Sequence, residues 1–100
     1  MHNLKYSKLA KEDLFNILEV ITNDKPMSAL EYISKLKSYI ELLQSNPQMG
    51  IECKNKSINQ NCRILIYGNY LIFYKIQNNN IDIVRVLSSR TNYKKALNNK

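Results

Sequence analysis

Apolar residues along this chain change their spacing partway. Leu14, Ile17, Leu18 and Ile21 recur at the i, i+3, i+4, i+7 interval of one helical face, and Ser7 stands ahead of them as an N-cap. That pattern predicts an amphipathic helix over 8–22. Asn23-Asp24-Lys25-Pro26 interrupts it, because Pro26 cannot continue the hydrogen-bond ladder and biases Lys25 away from helix. Asp24 is then placed to cap a second helix with Pro26 in its first turn, and Leu30, Ile33, Leu36, Ile40 and Leu43 form its stripe. This helix ends at Ser45-Asn46-Pro47. So short a connection implies an antiparallel helical hairpin with facing stripes, flanked by Tyr32 and Tyr39.

Residues 48–61 show no period and read as a polar loop. Beyond them the apolar runs take strand form. Residues 63–67 and 70–76 are separated by Gly68-Asn69, a two-residue hairpin signal, and Asn78-Asn79-Asn80 turns into 81–87. This is a three-stranded meander, and its near-continuous apolarity predicts a central strand covered on both sides. Residues 2–6 alternate weakly, as an edge strand does, and 90–99 carry Tyr93, Ala96 and Leu97 in a short closing helix. The predicted architecture is a single α+β domain over 1–100. An N-terminal strand and an antiparallel helical hairpin pack on a mostly antiparallel sheet.

Charge changes this picture more than composition does. An apolar fraction of 44% with two Gly and two Pro fits a folded domain. The net charge of +7, however, is segregated. Residues 1–50 hold six Lys against six acids, whereas 51–100 hold nine basic groups against Glu52 and Asp82. The C-terminal half is therefore suited to an acidic partner. No run reaches the eighteen or so apolar residues of a membrane span. MHNLKYSKLAKEDL lacks a secretory h-region, so a cytoplasmic protein is expected. In that setting Cys53 and Cys62, far from Cys-x-x-Cys spacing, are expected to be free thiols.

The chemistry is sparse. His2 is the sole histidine and sits at a terminus; phosphate-loop, nucleophile-elbow and HExxH patterns are absent, so no cofactor and no metal are expected. Glu12, Asp13 and Glu19 read as solubilising charges on the polar face of the first helix. The candidates that remain for target binding are Arg63, Arg85, Arg90, Tyr93, Lys94 and Lys95. Arg85 shares strand parity with Ile81, Ile83 and Leu87, so it projects from an apolar face and needs a carboxylate, a carbonyl or a phosphate.

NYLIFYKIQNNNIDIVRVLSSRTNY resembles the sheet signature of the ParE/RelE superfamily, the toxins of bacterial type II toxin–antitoxin pairs. AKEDLFNILEVITNDKPMSALEYISKL is similar to that family's helical hairpin, and LLQSNPQMG to its Leu-x-x-x-Pro-x-x-Gly exit from the second helix. The likeness runs over about residues 3–97. It implies a toxin held in a hetero-oligomer by a cognate acidic, partly disordered antitoxin. It also implies one of two activities. RelE-like members are ribosome-dependent mRNA endoribonucleases that use Lys/Arg and a C-terminal Tyr; ParE-like members are not nucleases and poison DNA gyrase. In the ribonuclease case Arg63, Arg90 and Tyr93 would form the catalytic site. Leu71 occupies the position where RelE-like enzymes tend to carry Arg, and Ile64, Leu65 and Ile66 lie where they carry Lys. YLIFY followed by RVL is the ParE-like form, although Ser88-Ser89 replaces the His-Gly that often follows. The ParE-like branch is therefore expected, with the ribonuclease, or an inactive fold that only binds its antitoxin, as the alternatives.

Overall fold

The computed structural model describes residues 1–56 and 61–98. Strand β1 (Asn3–Tyr6) leads into helix α1 (Lys8–Asp24), and a 3-10 turn at Pro26–Ser28 joins it to α2 (Ala29–Glu41). Then come β2 (Ile51–Glu52), β3 (Arg63–Tyr67), β4 (Tyr70–Gln77), β5 (Asn80–Ser88) and α3 (Tyr93–Asn98). The five strands lie in the order β1-β5-β4-β3-β2. Only β1 and β5 run parallel. The expected α+β architecture is present, with its hairpin, meander and short terminal helix.

Ser7 caps α1 by accepting a hydrogen bond from the Ala10 N–H at 3.0 Å. Its hydroxyl donates to the Val84 carbonyl at 2.8 Å, so one side chain fixes the helix start to the sheet. At the far end α1 runs on through Asp24, and the Lys25 N–H closes it on the Ile21 carbonyl. Asp24 is thus the last residue of α1 rather than a cap for α2. Pro26 opens the 3-10 turn, where a missing N–H leaves no ladder bond unmade.

The hairpin lies on one face of the sheet. Ala10, Leu14 and Ile17 of α1, with Ile33, Leu36 and Ile40 of α2, close over Leu65, Ile72, Tyr74, Ile81, Ile83 and Val86. Leu30, expected in the stripe, falls at its outer margin in the first turn of α2 and is 73% exposed. The other face carries a second core of Cys53, Cys62, Ile64, Leu71, Phe73 and Leu87, covered by Leu97 and Tyr93 of α3. Alternation along β4 explains the two cores: Ile72 and Tyr74 face the hairpin, whereas Leu71 and Phe73 face α3.

Three expectations are corrected here. Residues 48–61 are not loop throughout, because Ile51 and Glu52 pair antiparallel with Ile64 and Arg63. The Cys53 N–H extends that ladder to the Cys62 carbonyl at 2.8 Å. The cysteines therefore face each other with Cα atoms 5.2 Å apart and form a disulfide, not free thiols. A strand of two residues leaves no period to read, so the pairing had no signature in the sequence. The parity of Arg85 also changes. A bulge in β5 sets Phe73 opposite Arg85 but Tyr74 opposite Ile83, leaving Val84 as the extra residue. Past it, Val86 joins Ile81 and Ile83 in the hairpin-side core, while Leu87 belongs to the other.

The loop before β2 is held by Tyr74, whose ring is fully buried in the sheet. Its hydroxyl donates to the Pro47 carbonyl at 2.7 Å and accepts from the Gly50 N–H at 2.9 Å. A Cβ on Gly50 would lie 2.6 Å from the Ile64 carbonyl oxygen and 2.8 Å from the Tyr74 hydroxyl. The Pro-x-x-Gly segment is thus shaped around a buried phenol. Burial raises the Tyr74 hydroxyl above its ordinary range, opposed by the Gly50 hydrogen bond and the nearby Arg63. Tyr6 is pushed up to about 12 by burial and then by the Glu41 charge.

Gly50→Ala should destabilise the fold by about 1–3 kcal/mol, read from urea unfolding, since the contact is with backbone that cannot yield cheaply. A second expectation concerns alkaline pH. The folded protein holds the Tyr6 proton more tightly than the unfolded chain, whose tyrosines titrate near 10.0. The associated stability is fully present below pH 10 and is lost as pH rises towards 12. Unfolding free energy should fall across that window, and Tyr6→Phe should flatten the decline.

Candidate functional site

The basic candidates divide according to what the fold does with them. Arg85 is used internally. β1 ends opposite Ile83, so the edge of β5 beyond the bulge has no strand beside it, and α1 supplies Asp13 instead. The Asp13 carboxylate accepts from Arg85 Nε at 2.8 Å and from its second guanidinium nitrogen at 3.0 Å. It also accepts from the Val86 N–H at 3.0 Å. These side chains are only 22% and 11% exposed. The Arg85 guanidinium is held above its ordinary value by the Asp13 hydrogen bond, against burial, and stays charged. Asp13 is therefore a structural partner and not a solubilising charge. Its signal was the unmet demand of Arg85, but a helix–strand contact 72 residues apart cannot be read from periodicity.

Arg63 is also engaged. Its Nε donates to the Gly50 carbonyl at 3.1 Å and its terminal nitrogen to the Gln48 carbonyl at 3.3 Å. Arg63 pairs with Tyr74, whereas Ser88, two residues before Arg90, pairs with Tyr70. Four residues of strand separate those positions, or roughly 13 Å. Arg63 and Arg90 thus occupy opposite ends of the meander. A phosphate held by Arg90 lies beyond hydrogen-bond reach of a fold-bound Arg63.

Arg90 is exposed and opens onto a cleft of about 670 Å³ between the tip of the helical hairpin and the β3–β4 turn. Lys25, Lys35, Tyr32 and Tyr70 line it, together with the acids Asp24 and Glu31. Glu31 is already paired with Lys35 at 3.6 Å. Tyr32 sits edge-on to Tyr67 and Tyr70, with ring centres 5.7 and 6.1 Å away, and its hydroxyl is raised by burial and then by those two tyrosines. The β3–β4 turn needs Gly68, whose φ of +57° is costly for other residues. Tyr93 is half-buried with its ring 5.7 Å from Phe73, and Lys95 is exposed on α3. Lys94 belongs to α3, but its side chain lies outside the described residues.

The positions where a ribonuclease of this superfamily would carry cations are apolar and packed. Leu71, Ile64 and Leu65 are 8%, 2% and 3% exposed, and only Ile66 reaches solvent, at 51%. Among the described residues no group of three His, Cys, Asp or Glu could hold a metal ion. No described helix is long and apolar enough to cross a membrane. What the surface offers is positive charge beside tyrosine, suited to an anionic macromolecular surface.

A helical hairpin on one face of a five-stranded sheet, ending in a basic tail, defines the class of small toxins with this α+β fold. The family model for the ParE toxin of the type II toxin–antitoxin system, parDE, matches residues 4–93, and this chain belongs to that family. Among solved structures it is similar to a chain of the chromosomal ParDE TA system from P. aeruginosa. The TM-score is 0.75 at 20% identity, covering 88% of this chain and 96% of that one. No curated protein matches the chain significantly in sequence.

Asp13→Ala should cost about 2–3 kcal/mol in chemical denaturation, because it strands both the Arg85 charge and the Val86 N–H. Combining it with Arg85→Met should cost less than the sum of the single changes. Simple additivity would mean that the pair is not coupled.

Proposed function

We propose that this ParE-family toxin poisons DNA gyrase by protein–protein contact and is neutralised by a cognate acidic antitoxin. The observation that carries the reading is the burial of Leu71, Ile64 and Leu65, which fills with packed apolar side chains the positions where phosphoryl chemistry would need cations. Arg90, Tyr93, Lys94 and Lys95 then form the target contact, at the end of β5 and on α3. Arg85 contributes by holding the end of β5 that leads into this rim, whereas Arg63 holds the 48–50 loop at the opposite end of the meander.

The antitoxin surface in this reading is the groove between α1 and α2. Leu14, Phe15, Leu18 and Ile33 line it with Lys11 and Lys37, and Phe15 is 62% exposed. An apolar channel with two lysines suits an acidic amphipathic segment that folds as it docks.

The test is a supercoiling assay with purified gyrase and this toxin. Supercoiling should be inhibited with accumulation of cleaved complexes, and added antitoxin should restore activity. Arg90→Glu should raise the toxin concentration required at least about tenfold without changing the melting temperature. Untouched supercoiling together with mRNA cleavage in a reconstituted translation system would assign the ribonuclease activity instead. Silence in both assays would leave an antitoxin-binding protein.

A further inference from the structure

The Cys53–Cys62 pair is used by none of the surfaces above, yet its two members are placed differently. Cys53 is completely buried; Cys62 is 6% exposed and forms part of the wall of a separate cleft of about 400 Å³ at the β2 end of the sheet. Among the described residues that cleft carries Lys54, Arg63 and Lys75 against one acid, Glu52. Glu52 is already engaged by Lys54 at 3.7 Å. The carbonyls that hold Arg63 are neutral, and Glu52, opposite it on β2, is the one acid that lines the cleft among the described residues. Asp82, opposite Lys75 on β5, does not line the cleft. An electropositive, partly open cleft lined by Cys62 and not by Cys53 is the kind of setting in which thiolates form and anionic thiols collect.

We propose that Cys62 is a thiol–disulfide exchange site taking a small thiol that carries carboxylates, of the γ-glutamyl tripeptide class. The incoming thiolate attacks the Cys62 sulfur and forms a mixed disulfide there. The Cys53–Cys62 bond breaks, and the Cys53 sulfur leaves with the electron pair and takes a proton from water. A second molecule of the small thiol attacks the sulfur of the bound one, freeing Cys62 as a thiolate beside the three cations. The small thiol departs as its own disulfide, so the protein gains the two electrons that two thiol molecules lose. The reverse sequence, begun by the Cys62 thiolate on that small disulfide, closes the bond again. Both cysteines share an apolar cluster with Leu97, so exchange takes place beneath the helix that carries Tyr93 and Lys95.

The full disulfide-bonded chain should be incubated with glutathione, quenched with acid and mapped by peptide mass spectrometry. The adduct is expected on Cys62. Glutathione should also outpace neutral 2-mercaptoethanol by about tenfold at low salt, after each rate is divided by that for an unstructured disulfide peptide. High salt, or Lys75→Glu, should remove most of that preference. Lys54→Glu, at an exposed side chain, carries the same expectation and keeps the test independent of Lys75 packing. An adduct on Cys53, a normalised ratio near one, or indifference to both charge reversals would overturn the assignment.

Discussion

A phenol buried in the middle of a sheet has to find a donor and an acceptor, and Tyr74 finds both on one loop. The Pro47 carbonyl and the Gly50 N–H close on its hydroxyl. Much else follows from that anchoring. The chain leaves α2 and is drawn across to the sheet, which delivers Ile51 and Glu52 to the edge of β3. The same loop turns the Gly50 and Gln48 carbonyls towards Arg63. Once β2 is registered on β3, Cys53 falls opposite Cys62. Exit loop, edge strand and disulfide are therefore successive consequences of one satisfied hydroxyl.

The other end of the meander is governed by the bulge at Val84. It shifts the inward set of β5 from Ile83 to Val86, and beyond Ile83, where β1 ends, the strand edge has no strand beside it. An unpaired edge invites association, and here Asp13 blunts it by accepting both the Val86 N–H and the Arg85 guanidinium. The tail beyond Ser88 therefore leaves the sheet from a fixed point. Arg90 emerges beside the hairpin tip, while Tyr93 turns back onto Phe73 across the opposite face.

These devices separate cations that look equivalent in a list. Arg63 and Arg85 have become parts of the scaffold, and Arg90 and Lys95 remain at the surface. Filling the sheet with Ile64, Leu65, Leu71 and Phe73 gives it two packed faces with no charged side chain at these positions. This toxin therefore keeps Arg90 and Lys95 at a rim outside its packed sheet.

Local pattern was enough for most of the architecture. The 3.6-residue stripes of α1 and α2, the Gly68-Asn69 and Asn78-Asn79 turns, and the apolar runs of β3, β4 and β5 each report on neighbours a few residues away, and short-range periodicity encodes such information directly. The charge segregation and the motifs of the ParE family were equally visible. Only the tertiary structure decided the partners of Arg85, Arg63 and Tyr74 and the pairing of Cys53 with Cys62. Those contacts join residues 72, 13, 24 and 9 positions apart. They depend on a bulge of one residue and a strand of two, features too short to leave a period. The exposed margin of α2 at Leu30 was settled in the same way, by where the sheet lies beneath the helix and not by the helix itself.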